Sequence, residues 1–231
     1  GHAGIALATW LAANELIDIS VGNSTIRLCT PTQSANLSLD ADQDEKSAVR
    51  VNMELQVAQF GQWTGRREQL EVTLGLERGA IQGAVPIGYT DLDFRSLIVP
   101  MSHVSVVRAM EPDFERIRRY CQSNSIDTIM IYYGYQTGNG INAHCREFCP
   151  AVGISEAPAS GTTQRALACY LHQFGVLQFP TSGRQYIRAG QGVEMGRPSE
   201  ILTQLDLEEG RIARLSVGGF ATPAIQGKII I

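Results

Sequence analysis

Arg146-Glu-Phe-Cys-Pro150, running into Ala151-Val-Gly-Ile-Ser-Glu-Ala-Pro-Ala-Ser-Gly-Thr-Thr-Gln164, is the stretch on which the fold turns. Its first five residues read as a strand stopped by a proline, which cannot donate to a ladder. A loop follows, and then an apolar helix pattern with Ala166, Leu167, Tyr170 and Leu171 near one face. The loop delivers Ser160, Gly161, Thr162 and Thr163 to the helix start. Their hydroxyls can cap the first turn. The unpaired N–H groups and the positive end of the helix dipole also suit a carboxylate there. Local sequence leaves both readings open, a plain capping loop or an anion site.

Working outward, the period alternates between strand and helix. Upstream, residues 3–17 predict a helix, Thr25 to Cys29 and Val49 to Val57 half-buried strands, and Glu68 to Leu76 a short helix ending before Gly79. The polar stretch Thr32 to Lys46 is expected to separate the first two strands, with Asp40 to Glu45 as a solvated turn. Leu97 to Pro100 and Val104 to Val107 read as strands, Phe114, Ile117 and Cys121 mark a helix after Pro112, and Thr128 to Tyr133 is a buried strand. Gln136-Thr-Gly-Asn-Gly is an Asn-Gly turn. Downstream of the helix, short strands in an antiparallel meander are expected, with a hairpin turn at Glu208-Glu-Gly and a buried closing strand at Gly227-Lys-Ile-Ile-Ile. The class is α+β. There is also a hint of internal symmetry. Gly1-His-Ala-Gly opens one apolar helix as Ser160-Gly-Thr-Thr opens another, and two such ends facing each other would form one anion pocket.

Composition narrows the function classes. The 231 residues carry a net charge of −4, with 44% hydrophobic and 18% charged residues, which suits a folded globular chain. Lys and Arg form no basic run, so a nucleic-acid partner is not expected. No apolar stretch reaches the roughly 18–20 residues of a membrane span. The opening lacks a basic segment and a clear cleavage site and is not read as a signal peptide. Five cysteines, at 29, 121, 145, 149 and 169, suggest reduced thiols in a cytoplasmic protein. His144, Cys145 and Cys149 lack the second ligand pair of a zinc site and read as strand residues of mixed facing.

Taken in order, these pieces resemble the PhzF-like (phenazine-biosynthesis-like) isomerase family, whose fold is that of diaminopimelate epimerase. The family pattern R-x-F-x-P, then G-I-x-E-D-P-x-T-G-S and a helix, is met by Arg146-Glu-Phe-Cys-Pro and Gly153-Ile-Ser-Glu-Ala-Pro-Ala-Ser-Gly-Thr. Gly190-Gln-Gly, Met195-Gly-Arg-Pro-Ser and Val217-Gly-Gly-Phe-Ala resemble later landmarks, and Gly1-His-Ala resembles the turn that opens the first-domain helix. The resemblance implies two similar domains, each a curved, mostly antiparallel sheet around a central helix, with the site in the cleft between them. Residues 1–84 plus 225–231 would form a first domain truncated at its amino terminus, and 85–224 the second. It further implies a homodimer without metal or organic cofactor, acting on a small carboxylate-bearing molecule by moving a proton. His2 and Thr162 would be the catalytic contacts. Ala3, Gly4, Ala157, Ser160, Gly161 and Thr163 would bind substrate.

Two departures qualify that expectation. The family's acidic proton carrier precedes the Gly-His turn, so it is expected to have no counterpart in this chain, Glu45 lying after the turn. The family's substrate-contacting Asp is Ala157 here, which neither carries charge nor hydrogen-bonds through its side chain. Thr162 replaces a Ser. A binding relative without turnover is therefore the alternative. A cysteine-pair racemase fits poorly, because His2, Ala3, Thr162 and Thr163 stand where its thiols would be and Cys169 falls inside the helix as packing. Trp10 and Trp63 read as packing, and Arg66-Arg67 and Arg116 to Arg119 as solvated faces.

Overall fold

The computed structural model describes residues 2–19, 24–29, 34–41, 49–61, 63–90, 94–137 and 140–222. In chain order the elements are α1 (His2–Ala13), β1 (Ser24–Cys29), β2 (Ser34–Ala41), β3 (Val49–Glu54), α2 (Arg67–Leu74), β4 (Gly88–Tyr89) and β5 (Ser96–Pro100). They continue as α3 (Val104–Ala109), α4 (Phe114–Ser123), β6 (Thr128–Thr137), β7 (Gly140–Cys149), β8 (Ile154–Ala157), α5 (Gly161–Gln173), β9 (Gly183–Gln191), β10 (Ser199–Glu208) and β11 (Arg211–Phe220). One sheet runs β1-β2-β3-β11-β10-β9-β7-β6-β5-β4, with β8 paired to β7. Only β5–β6 and β7–β9 are parallel among its pairs. The class is α+β, as expected.

Local chemistry explains the boundaries. Asp113 caps α4 by accepting from the Arg116 amide at 3.0 Å. Gly75, at φ 70°, closes α2 with its N–H on the carbonyls of Glu71 and Val72. Glu209 and Gly210 both hold positive φ, 50° and 75°, which matches a two-residue hairpin turn to the twist of β10 and β11.

Apolar residues form three clusters. Ala8 and Ala12 of α1 meet Leu37, Leu39, Val49, Val51 and Met53. On α5, Ala166 to Leu171 pack against one face of the sheet with Met130, Cys145, Ile187, Leu205 and Leu215. The third cluster lies on the opposite face, under α2, α3 and α4, around Phe148, Ile131 and Ile117. Leu55 packs against both of the first two clusters and joins them.

Five expectations are corrected. Val104 to Val107 is helical, the start of α3, because four residues are too few to separate the periods and Val107 buries itself in the third cluster. The polar separator contains β2, whose Leu37 and Leu39 face the core while Asp40 on the other face pairs with Arg50 at 3.5 Å. The loop after Pro150 contains β8, antiparallel to β7. Trp10 is half exposed instead of packed, and Arg67 donates to the carbonyls of Gln82 and Val85 at 2.6 and 3.1 Å instead of lying free in solvent. Gly1, the polar residues 42–48, the centre of the Asn-Gly turn and the expected closing strand lie outside the described residues.

Candidate active site

The Arg146 side chain sets the strand that leads into the helix start. It is 4% exposed. Its Nε and Nη2 donate to the two carboxylate oxygens of Glu156, each at 2.9 Å, and Nη1 donates to the carbonyls of Met110 and Val107 at 2.6 and 3.3 Å. The guanidinium also lies 5.2 Å from the Phe148 ring centre. This bidentate pair pins β8 onto β7 from the outer face.

Alternation then puts the next residue of each strand on the inner face, toward α5. Glu147 and Ala157 are direct cross-strand partners. Glu147 is 3% exposed and accepts from the Thr163 hydroxyl at 2.9 Å. Burial drives its carboxyl above the ordinary carboxylate range, against hydrogen bonds from Thr163, Ser160, Gln191 and Thr128. Gln191 donates to the Ala157 carbonyl at 2.8 Å and accepts from the Gln164 amide at 2.9 Å, tying β8, β9 and the first turn of α5 together. Ser160 caps the helix, accepting from the Thr163 N–H at 3.5 Å. Gly192, at φ 77°, lets the following turn close on this loop, for a Cβ there would stand 2.7 Å from the Pro158 carbonyl oxygen.

The two helix starts come together through the sheet. A Cβ on Gly4 would lie 3.0 Å from Met53 Cε, and one on Gly161 would lie 3.6 Å from Val217 Cγ1. Met53 and Val217 are cross-strand partners in β3 and β11, so their side chains share one face. From there α1 packs toward Leu39 and Val49, while α5 packs toward Leu215 and reaches the Ala58 amide at Cys169. The two helices thus begin beside one cross-strand pair and pack into different clusters. An open groove of about 540 Å³, lined in part by Leu55, Val57, Leu215, Arg27, Glu54 and Gln56, includes neither helix start nor the Met53–Val217 pair in its lining.

Of the residues singled out by sequence, Gly4 and Gly161 sit on this pair. Ser160 and Thr163 line the α5 start, Thr163 buried and Ser160 half-buried, and Ala157 and Thr162 are half-buried beside them. His2 and Ala3 are exposed in the first turn of α1. Sequence reading missed Glu147, Gln164, Gln191 and Thr128. The signal for Glu147 was its parity: it shares a strand face with Cys145, whose position in the inner core is apolar. Cys145 and Cys149 are buried thiols pushed up to about 12, and burial also raises Cys169, so all three stay protonated near neutrality and none resembles an activated nucleophile.

A family model described as phenazine biosynthesis-like protein matches residues 1–227. An uncharacterized isomerase of Deinococcus radiodurans is 28% identical over 167 residues, which cover 71% of this chain and 52% of that protein. The trans-2,3-dihydro-3-hydroxyanthranilate isomerase of Pseudomonas chlororaphis is 25% identical over 205 residues, 89% of this chain and 68% of the relative. The chain therefore spans about half the length of the first relative and about two thirds of the second. Among solved structures, the phenazine biosynthesis protein of the PhzF family from Bacillus anthracis superposes with a TM-score of 0.78 at 17% identity, over 96% of this chain and 74% of that one, a likeness of fold.

Proposed function

The chain belongs to the phenazine biosynthesis-like protein family, and from that premise we propose that it carries the site of a cofactor-independent isomerase that moves a proton on a small carboxylate-bearing molecule. The observation that carries the reading is the convergence of two helix starts on the Met53–Val217 pair. Each start offers N–H groups to an anion. The substrate carboxylate, and the negative charge that spreads onto it as a carbon loses its proton, would be held there by the amides of residues 161 and 162 and the hydroxyls of Ser160 and Thr162. On the other side, Ala3 and Gly4 would let the substrate approach the α1 backbone closely, and His2 would hydrogen-bond it or pass a proton through its ring nitrogens. In this reading the first unit gathers around α1 and the second around α5, the substrate lies in the cleft between them, and the molecule works as a cytoplasmic homodimer.

Ala157 favours a second reading. It leaves its position without a polar side chain, and a pocket that has lost one polar contact changes substrate or loses turnover. A binding protein for small carboxylates is the result. One experiment separates the two. The protein is incubated in deuterated water with trans-2,3-dihydro-3-hydroxyanthranilate and with a panel of cyclic unsaturated carboxylates, and proton NMR follows deuterium entry and double-bond movement. Entry at carbon with a shifted double bond supports the isomerase. Saturable binding without exchange supports the binder. Absence of both sinks the carboxylate site altogether.

A further inference from the structure

We propose that Glu147 is a positioning residue that couples carboxylate binding at the start of α5 to uptake of a proton by the protein. The inference rests on the reading of that helix start as a carboxylate site, and it goes beyond it by assigning a role to a residue that neither the sequence pattern nor the family relationship singles out.

The geometry is specific. Glu147 is 3% exposed, and the groups around its carboxyl come from four elements. Thr163 and Ser160 of α5 face it, the Thr163 hydroxyl at 2.9 Å. Thr128 of β6 and Gln191 of β9 supply the rest, and its cross-strand neighbour on β8 is Ala157. All of these are uncharged. On its own strand the titratable neighbours are the thiols of Cys145 and Cys149, both protonated near neutrality. The closest ion pair in sequence, Arg146 with Glu156, lies on the opposite face of β7 and β8 and neutralises itself. Arg165 of α5, two residues beyond Thr163, is 6% exposed and acts on Cys169.

A carboxylate buried among neutral donors is poorly solvated, and burial favours its neutral acid. Ionised Glu147 and a ligand carboxylate would also draw on the same helix start, two like charges on one positive dipole end. Protonation removes that competition and leaves the first-turn amides to the ligand. By linkage the effect is reciprocal: a bound carboxylate strengthens the hold of Glu147 on its proton. Between the carboxyl's pKa without ligand and its higher pKa with ligand, affinity falls about tenfold per pH unit as pH rises. Below the first of these values affinity is flat. Glu147→Gln keeps an oxygen acceptor for the Thr163 hydroxyl and carries no charge at any pH, so its affinity is flat throughout.

The test uses anthranilate as the probe. Calorimetric titrations of the wild-type protein and Glu147→Gln are run in two buffers of different ionisation enthalpy at several pH values, which gives the number of protons taken up on binding. In parallel, infrared difference spectra of wild-type protein labelled at the Glu side-chain carboxyl report the protonated form directly and need no variant. Supporting results are proton uptake in the wild type that Glu147→Gln abolishes, and a protonated-carboxyl band that persists to higher pH with anthranilate. Equal proton uptake in both proteins, or anthranilate binding with no shift of the band, overturns the coupling and leaves the carboxylate site standing. If anthranilate binds neither protein while the infrared band shows Glu147 protonated, the carboxylate reading itself fails and the coupling falls with it.

Discussion

The start of α5 and the start of α1 are built to different standards. The α5 start is enclosed: Ser160 caps it, Glu147 holds Thr163, Gln191 ties it to β8, and the Arg146–Glu156 pair fixes β8 from behind. Among the described residues, the α1 start is held by contact, with Gly4 pressed against Met53 and Leu28 and with His2, Ala3 and Leu7 exposed. A polar shell holds groups at set distances, whereas van der Waals contact sets only a minimum approach. The difference teaches where discrimination among ligands belongs. In the proposed site, polar recognition would sit at α5 and α1 would supply proximity.

The sharpest way to break that contrast is to remove the support behind α5. Arg146→Met leaves the Glu156 carboxylate buried without its partner and strips the Val107 and Met110 carbonyls of a donor. Loss of one member of a buried pair costs about 3–5 kcal/mol. Urea unfolding of the variant measures it. A cost below about 1 kcal/mol means that β8 is held in place without the pair and that the α5 shell is not built on it. Next in size is Gly218→Ala, at the seam where β11 meets β3. A Cβ there would stand 2.1 Å from the Val51 carbonyl oxygen and 2.6 Å from Asn52 Oδ1, and the first of these is backbone that cannot swing aside. Overpacking of this kind costs about 1–3 kcal/mol and sometimes more. The readout is again unfolding, joined to ligand affinity, because β3 and β11 carry Met53 and Val217 and any separation of the strands parts the two helix starts.

Glu147→Gln tests the shell from inside, and its effect depends on pH. Burial raises the Glu147 pKa in the folded state above its unfolded value of about 4.3. Between those two values the native protein holds more protons than the unfolded chain, so stability falls as pH rises, by about 1.4 kcal/mol per unit within that window. Below the unfolded value the penalty is absent, and above the folded value it is complete. The amide does not titrate. Glu147→Gln therefore gains stability relative to wild type as pH rises from about 4 upward, and denaturation at three pH values checks the sign. A difference that does not change with pH would show that Glu147 is solvated and that the α5 shell is no tighter than α1.

How much of this was legible follows the same contrast. The helix at α5, its cap and the strand before it could be read because each has a short-range signature: Pro150 stops a strand, and Ser160 with two threonines starts a helix. The antiparallel meander after α5 was also legible, down to the turn at Glu209 and Gly210. What escaped was whatever depends on the partner strand. Strand β2 was hidden because Ser38 and Asp40 make its outer face polar, and only Asn52 and Arg50 across the sheet explain them. Glu147 escaped for the same reason. A glutamate between Arg146 and Phe148 looks like surface until Thr163, thirteen positions beyond a proline, is known to lie above it. Likewise His103 and His172 lie against Tyr133 and Phe179, contacts made only once the strands and helices are assembled.

The smallest expected effect compares the two starts directly, by making the same substitution in each. Gly161→Ala adds a methyl that stands 3.6 Å from Val217, an ordinary contact. Alanine is favoured over glycine in a helix by about 1 kcal/mol, less in the first turn, so the variant should be as stable as wild type or slightly more so. Gly4→Ala gains the same propensity, but its methyl stands 3.0 Å from Met53 Cε and 3.1 Å from Leu28 Cδ2, closer than carbon atoms pack comfortably. Both obstacles are ends of flexible side chains, and Met53 can turn away. The net change should lie within about 0.5 kcal/mol of zero, below that of Gly161→Ala. Affinity for a carboxylate should move the other way. A methyl at 161 stands among the amides that would meet the anion and weakens binding, whereas a methyl at 4 only widens the gap on the side that supplies proximity. If the two variants bind anthranilate equally well while differing in stability, the division of labour between the helix starts is wrong.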